Sequence, residues 1–152
     1  MTLRRNKMKK VLEIRARTLQ ERAGVLSQAH EGREAAQAQA SSAVTDLQQA
    51  AEYRQQLASS AIDVATWIDA EQWLVQRSRQ NNVAQTRLQG AEALVVQAFD
   101  GVIEARSNVK RIELLDQRLA DQETRQQDRL EQKASDEHAQ RKFAIPRRAE
   151  SD

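Results

Sequence analysis

The chain of 152 residues has no cysteine, one proline, four glycines and only 3% aromatic residues. Without cysteine it has neither a disulfide framework nor a cysteine-based metal site. Its apolar runs are a few residues long, far short of the roughly 20 that a membrane-spanning helix needs, and we expect no direct membrane insertion. The basic residues at the start are not followed by the apolar region of a signal peptide, which favours a cytoplasmic protein.

What the chain does contain is typical of long helices. Alanine, glutamate, lysine, leucine and arginine account for 74 of the 152 residues, a composition characteristic of coiled coils. The formal net charge of +2 is too small to indicate nucleic-acid binding by itself. We therefore expect an elongated helical protein rather than a compact globular domain.

Apolar residues recur at alternating steps of four and three along the first part of the chain, and 12 of the 16 positions are apolar. These positions are Met8, Leu12, Arg15, Leu19, Arg22, Leu26, Ala29, Arg33, Ala36, Ala40, Ala43, Leu47, Ala50, Arg54, Leu57 and Ala61. A repeat of 3.5 residues keeps one seam against a partner helix over many turns. It predicts a helix over about 3–58.

A second seam with the same repeat begins at Trp67 and continues more weakly through Leu119 and Leu130. Its strongest part is Trp67, Ala70, Leu74, Arg77, Asn81, Ala84, Leu88, Ala91, Val95, Ala98, Val102, Ala105, Val109 and Ile112. Between the seams, β-branched and small polar residues predict a turn over about 59–66. Either Asp63 or Thr66 is expected to cap a second helix over about 67–142.

Two helices with one apolar seam each are expected to fold into an antiparallel hairpin, with residue n beside about residue 124 minus n. Residues 4–22 carry eight basic and two acidic groups, whereas residues 113–140 carry eight acidic and four basic groups. The hairpin brings these stretches together, placing Arg4 to Lys10 beside Glu113, Asp116 and Asp121. The predicted fold is all-α: one coiled-coil hairpin over 1–152, with a C-terminal helical overhang and a flexible tail at 143–152.

No sequence motif indicates catalysis, because the chain lacks phosphate-binding loops, nucleophile motifs and zinc signatures. His30 and His138 are interpreted as surface residues, and no metal or cofactor is expected. The basic start can bind nucleic acid or an anionic membrane, but compensation by the second helix is the preferred interpretation. We therefore expect a protein that is not an enzyme and does not bind nucleic acid.

Three of the five aromatic residues, Tyr53, Trp67 and Trp73, gather near the turn. Trp67 lies on the seam, where it packs at the end of the core. Tyr53 and Trp73 lie off the seam, and exposed tyrosine and tryptophan are enriched at binding hot spots. Packing of Trp73 against its own neighbours is the alternative interpretation.

Three segments resemble the FliJ family of flagellar type III export proteins. They are Lys10-Val11-Leu12-Glu13-Ile14-Arg15 in the first helix, Tyr53-Arg54 with Trp67-Ile68-Asp69-Ala70-Glu71-Gln72-Trp73 near the turn, and Arg129-Leu130-Glu131-Gln132-Lys133 with Asp136-Glu137, Ala139, Gln140 and Arg141 near the end. The last segment is the most specific. Departures are Trp73, where another aromatic residue is usual, and a short turn.

The resemblance implies a cytoplasmic stalk of a bacterial export machine, peripheral to the cytoplasmic face of the cell membrane and needed for motility. In the family the end with both termini enters a hexameric ATPase and promotes its assembly and activity, while the hairpin end reaches the export gate. Family members also bind export chaperones. Residue by residue, the resemblance assigns Arg129, Lys133, Asp136, Glu137 and Arg141 to the ATPase, and Tyr53 and Trp73 to the gate.

Two alternatives share the helical hairpin. The stalk proteins of virulence injectisomes have the same architecture with weaker motifs. A purely structural coiled coil, dimerising into a four-helix bundle through its alanine-rich seam, is the other alternative.

Overall fold

The computed structural model describes residues 3–144, with side chains for residues 5–143. It contains two helices, α1 (Leu3–Ala58) and α2 (Val64–Ala144), which pack against each other as an all-α antiparallel hairpin. No β-strand occurs in this described part. Most of the predicted flexible tail, residues 145–152, lies outside it.

The connection between the helices is shorter than the sequence predicts, because α2 begins at Val64 instead of Trp67. Of the two predicted caps, Asp63 is the one used: the Thr66 amide donates a hydrogen bond to Asp63 Oδ1 at 2.9 Å. This satisfies an amide that has no partner within the helix. Ser59 and Ser60 close α1 by donating their hydroxyls to the Gln56 carbonyl, at 2.8 and 3.1 Å.

The predicted seams are the buried sides of the two helices. On α1 every apolar seam position from Met8 to Leu57 is buried or half-buried, and on α2 every seam position from Trp67 to Leu119 is. The exceptions are the last positions of each seam. Ala61 lies in the loop and is exposed, and Leu130 is 67% exposed.

The most completely buried residues are all alanines: Ala40, Ala50, Ala70 and Ala105 are at most 6% exposed. No large side chain in the described chain is fully buried. Small residues let two helix backbones approach closely, but each layer then removes little apolar surface from water. The hairpin is therefore held by many thin layers.

The chain divides into two compact units. The central unit comprises residues 17–106, and the terminal unit comprises, among the described residues, 3–16 and 107–144. Each contains a piece of both helices.

Pairings within each unit follow the expected register. In the central unit Asp46 lies beside Arg77 and Arg54 beside Glu71, and in each pair the residue numbers add to 123 or 125, against the predicted 124. In the terminal unit Arg5 lies beside both Asp116 and Glu123, and the two sums, 121 and 128, fall on either side of 124.

Candidate interaction sites

The end of α2 is an unpaired helix. Glu123 is half-buried, and every residue from 124 to 143 is exposed. The five residues assigned to ATPase binding all lie in this C-terminal segment: Arg129, Lys133, Asp136, Glu137 and Arg141. None of these five charged groups takes part in a salt bridge with any described residue.

Helical spacing brings some of these residues together. Arg129, Lys133 and Asp136 line one shallow strip with the apolar side chain of Leu130. Lys133 and Asp136 lie within about 40° of Arg129 around the helix axis, whereas successive steps of four residues carry Glu137 and Arg141 about 80° and 120° round from it. The segment therefore presents a charged face around one exposed leucine, with both signs of charge.

Arg5 of α1 lies between two carboxylates of α2 that come just before the C-terminal segment. Arg5 Nε lies 3.8 Å from Asp116 Oδ1, and its Nη1 lies 3.8 Å from Glu123 Oε2. Asp116 is thus one of the acidic residues expected beside the basic start, and Glu123 is a partner that the sequence argument did not name. Because all three side chains are about 30% exposed, the contacts help to fix register more than they stabilise the fold.

Tyr53 and Trp73 form an edge-to-face pair across the two helices, with ring centroids 5.7 Å apart and planes at 73°. Trp73 is half-buried, while Tyr53 is 42% exposed. Trp73 thus packs against Tyr53, the kind of contact that the alternative interpretation describes, and its role in binding the export gate stays a prediction. Tyr53 is the more exposed member of the pair.

Two arginines next to this aromatic pair each contact a tryptophan ring and a carboxylate, and both carboxylates belong to the other helix. Arg77 lies 6.0 Å from the Trp73 ring and 3.2 Å from Asp46, and Arg54 lies 5.6 Å from the Trp67 ring. Arg54 Nε also lies 2.6 Å from Glu71 Oε1. The sequence argument missed this network as a group, although both arginines occupy seam positions and the register places their acidic partners opposite.

The pKa of Asp63 is lowered by its hydrogen bonds with Thr66, first the side chain and then the backbone amide. Residues 3–144 contain no cluster of three or more histidine, aspartate or glutamate side chains suited to a metal ion. His30 and His138 lie on different helices, both exposed. None of the described helices is both apolar enough and long enough to cross a bilayer.

These features define a class: an antiparallel helical hairpin that presents a charged helix beyond its paired part and an aromatic pair near its turn. The chain belongs to the FliJ family, because residues 4–148 match the family model for the flagellar FliJ protein. It is accordingly a flagellar export protein, and the match favours the flagellar system over the injectisome alternative. Neither the curated proteins nor the solved structures contain a significant match.

Proposed function

We propose that this chain is the non-enzymatic stalk of the flagellar export apparatus, inserting its C-terminal segment into a hexameric export ATPase. The observation that carries the proposal is the helix over 124–143, which continues past the paired part of α2 with all its side chains exposed. A helix of this length is marginal without a partner. Insertion into a pore supplies that partner.

The mixed charge of the C-terminal segment suits this role. Arg129, Lys133 and Asp136 offer both signs of charge along one strip, so they can pair with different subunits in turn. A single asymmetric helix in a six-fold ring contacts the subunits unequally. It then biases which subunit binds or releases nucleotide, provided that its contacts differ between subunit states. The stalk itself needs no cofactor and performs no chemistry.

The turn end is proposed to reach the cytoplasmic part of the export gate through Tyr53 and Trp73. Support comes from the part of this pair that remains exposed, and from the enrichment of these residue types at binding hot spots. Export chaperones are a further proposed class of partner. The proposed location is the cytoplasm, peripheral to the cytoplasmic face of the cell membrane.

The test is ATP hydrolysis by the cognate export ATPase, titrated with this protein while sedimentation follows hexamer formation. We expect stimulation that saturates near one chain per hexamer. The triple variant Arg129→Gln, Lys133→Gln, Arg141→Gln is expected to lose most of the stimulation.

A matched control removes the same charge elsewhere. Arg17, Arg33 and Arg87 are exposed residues of the central unit, and changing all three to glutamine should leave stimulation intact. Equal losses of ATPase stimulation in both triple variants would show that the effect depends only on net charge. Full stimulation by the first triple variant would show that these basic residues of the C-terminal segment do not contact the ATPase.

A further inference from the structure

Helix α2 carries a second line of side chains on its outer side. Every seventh residue from Ile68 to Ile103 directly follows a seam residue, and one residue rotates the helix by about 100°. All six positions of this outer stripe are exposed: Ile68, Val75, Asn82, Gln89, Val96 and Ile103. The four apolar members are 48%, 48%, 62% and 52% exposed, and Phe99 beside them is 53% exposed.

A seven-residue apolar spacing is the pattern by which a helix meets another helix. Packing against α1 does not account for it, because α1 already covers the seam and leaves the outer stripe open. Exposed apolar residues scattered singly are normal on a protein surface. Four exposed β-branched residues that recur at one heptad position are not scattered, and such aligned apolar groups mark interaction surfaces. The outer stripe is therefore a candidate surface for packing against a third helix.

The order of residues in the outer stripe reads the same in both directions. From either end it runs isoleucine, valine, an amide side chain, an amide side chain, valine, isoleucine. A parallel, in-register pair of helices matches identical positions for any sequence, so it requires no such order. In a two-fold antiparallel pair each residue meets its counterpart from the other half of the stripe, so this order places like side chains opposite each other in every layer.

We propose that the outer stripe is the interface of an antiparallel homodimer of this chain. Its two-fold axis lies midway between Asn82 and Gln89. This arrangement places Ile68 opposite Ile103 and Val75 opposite Val96 of the second copy. Asn82 then faces Gln89, and paired amides at the centre fix the register in the way that buried polar residues do in coiled coils.

Charges beside the stripe agree with this register. Arg79 and Glu92 are both exposed and fall opposite one another twice, once on each side of the axis. The one like-charge approach is between Glu71 and Asp100, and Glu71 already pairs with Arg54 at 2.6 Å. The stripe covers residues 68–103, 36 residues, or about 50 Å of helix. The apolar side chains of the stripe are only about half exposed in the single chain, and its centre is polar, so dimerisation buries little apolar surface. We therefore expect a weaker dimer than an obligate one, formed at higher protein concentration.

Sedimentation equilibrium of the full chain over a wide concentration range is the first test. We expect a reversible monomer–dimer equilibrium, with a dissociation constant raised at least about tenfold by Val75→Glu or by Val96→Lys. Val83→Glu is the matched control, since Val83 is 51% exposed on the same helix but off the stripe. Monomers at every concentration, or equal weakening by Val83→Glu, would overturn the proposal.

The double variant Val75→Glu, Val96→Lys tests the direction of the pair. In the antiparallel register each new glutamate meets a new lysine, so dimerisation should recover, whereas Val75→Glu, Val96→Glu should stay monomeric. Since the chain has no native cysteine, single cysteines report the same geometry. Val75→Cys should cross-link with Val96→Cys in a mixture; cross-linking of each variant only with itself would contradict the antiparallel arrangement.

Discussion

At the scale of single residues, the closest packing in this chain rests on alanine. Ala50 is completely buried in α1, and its neighbour Ala51 is exposed. Ala50→Leu adds three carbons where the partner helix leaves no room, and we expect a loss of about 1–3 kcal/mol in the free energy of unfolding.

The matched control for this change is Ala51→Leu. It adds the same side chain with the same helix propensity on the exposed side of the helix, and its effect should stay within about 0.5 kcal/mol. Chemical denaturation followed by circular dichroism measures both. Similar losses for the two variants would mean that the seam is not packed at Ala50 as described.

Asp63 gives stability a specific pH dependence. Because hydrogen bonds with Thr66 lower the pKa of its carboxyl in the folded chain, the ionised form is favoured by folding. Its contribution is therefore present above the usual value of 3.8 and is lost as pH falls through the lower folded value. Asp63→Asn keeps a capping side chain without the charge.

We expect the wild type to melt at a higher temperature than Asp63→Asn at neutral pH, and the difference to vanish only as the pH falls below the lowered pKa of Asp63 in the folded chain. Thermal unfolding of both chains over a pH series measures this. Asp69→Asn, a change on the same helix away from the cap, should show no such convergence. A difference independent of pH would show that the carboxylate charge does not contribute at the cap.

The register of the cross-helix pairs was accessible from the sequence, and the aromatic pairing was not. Arg54 and Arg77 occupy seam positions, and the register places acidic partners near both. Tyr53 and Trp73 lie beside the seam, where periodicity does not tell whether two rings point toward each other. Their edge-to-face contact depends on side-chain directions that only the folded backbone fixes.

At the scale of elements, the seams were predictable because helix periodicity is a local property of the sequence. The ends of the helices were harder to predict. The two possible caps, Asp63 and Thr66, differ by three residues, and α2 begins after the first. The outer stripe was also readable as a spacing. Its significance depends on knowing that α1 leaves those side chains uncovered, which is a tertiary fact.

Element stability is expected to change along α2. Residues 84–112 pack their apolar seam against α1, whereas every side chain of the C-terminal segment over 124–143 is exposed. Unpaired helix opens more easily than packed helix. Amide hydrogen exchange of the isolated chain should therefore be at least about tenfold faster in the C-terminal segment than in residues 84–112.

The control for this measurement is the start of α2. Residues 64–74 are also near a helix end but pack Trp67 and Ala70 against α1, so they should exchange more slowly than the C-terminal segment. Uniform protection along the whole of α2 would contradict the description of 124–143 as unpaired. Protection that appears only after the export ATPase is added would locate the contact.

At the scale of the whole molecule, the two proposed contacts belong to different compact units. The C-terminal segment lies in the terminal unit, and Tyr53 and Trp73 lie in the central unit, where Arg77 and Asp46 support them. The aromatic pair is therefore held by contacts within the central unit, whereas the C-terminal segment is the exposed end of a helix of the terminal unit. Under the proposed function export requires both contacts, but the residues that make one need not affect the other.

This separation predicts opposite losses in two variants. Changing Arg129, Lys133 and Arg141 to glutamine should abolish ATPase stimulation while binding to the cytoplasmic part of the export gate persists. Tyr53→Ala with Trp73→Ala should weaken gate binding at least about tenfold, as the loss of an aromatic hot spot does, while ATPase stimulation persists. Calorimetry with each isolated partner measures the two affinities.

Two further variants separate binding from folding. Trp73→Phe keeps a ring against Tyr53 and should retain the melting temperature and most of the gate affinity. Val83→Ala removes a comparable exposed apolar side chain from α2 and should change neither affinity. If the aromatic double variant lost ATPase stimulation as well, with its helix content unchanged, the two contacts would be coupled. The stalk would then transmit binding from one partner to the other.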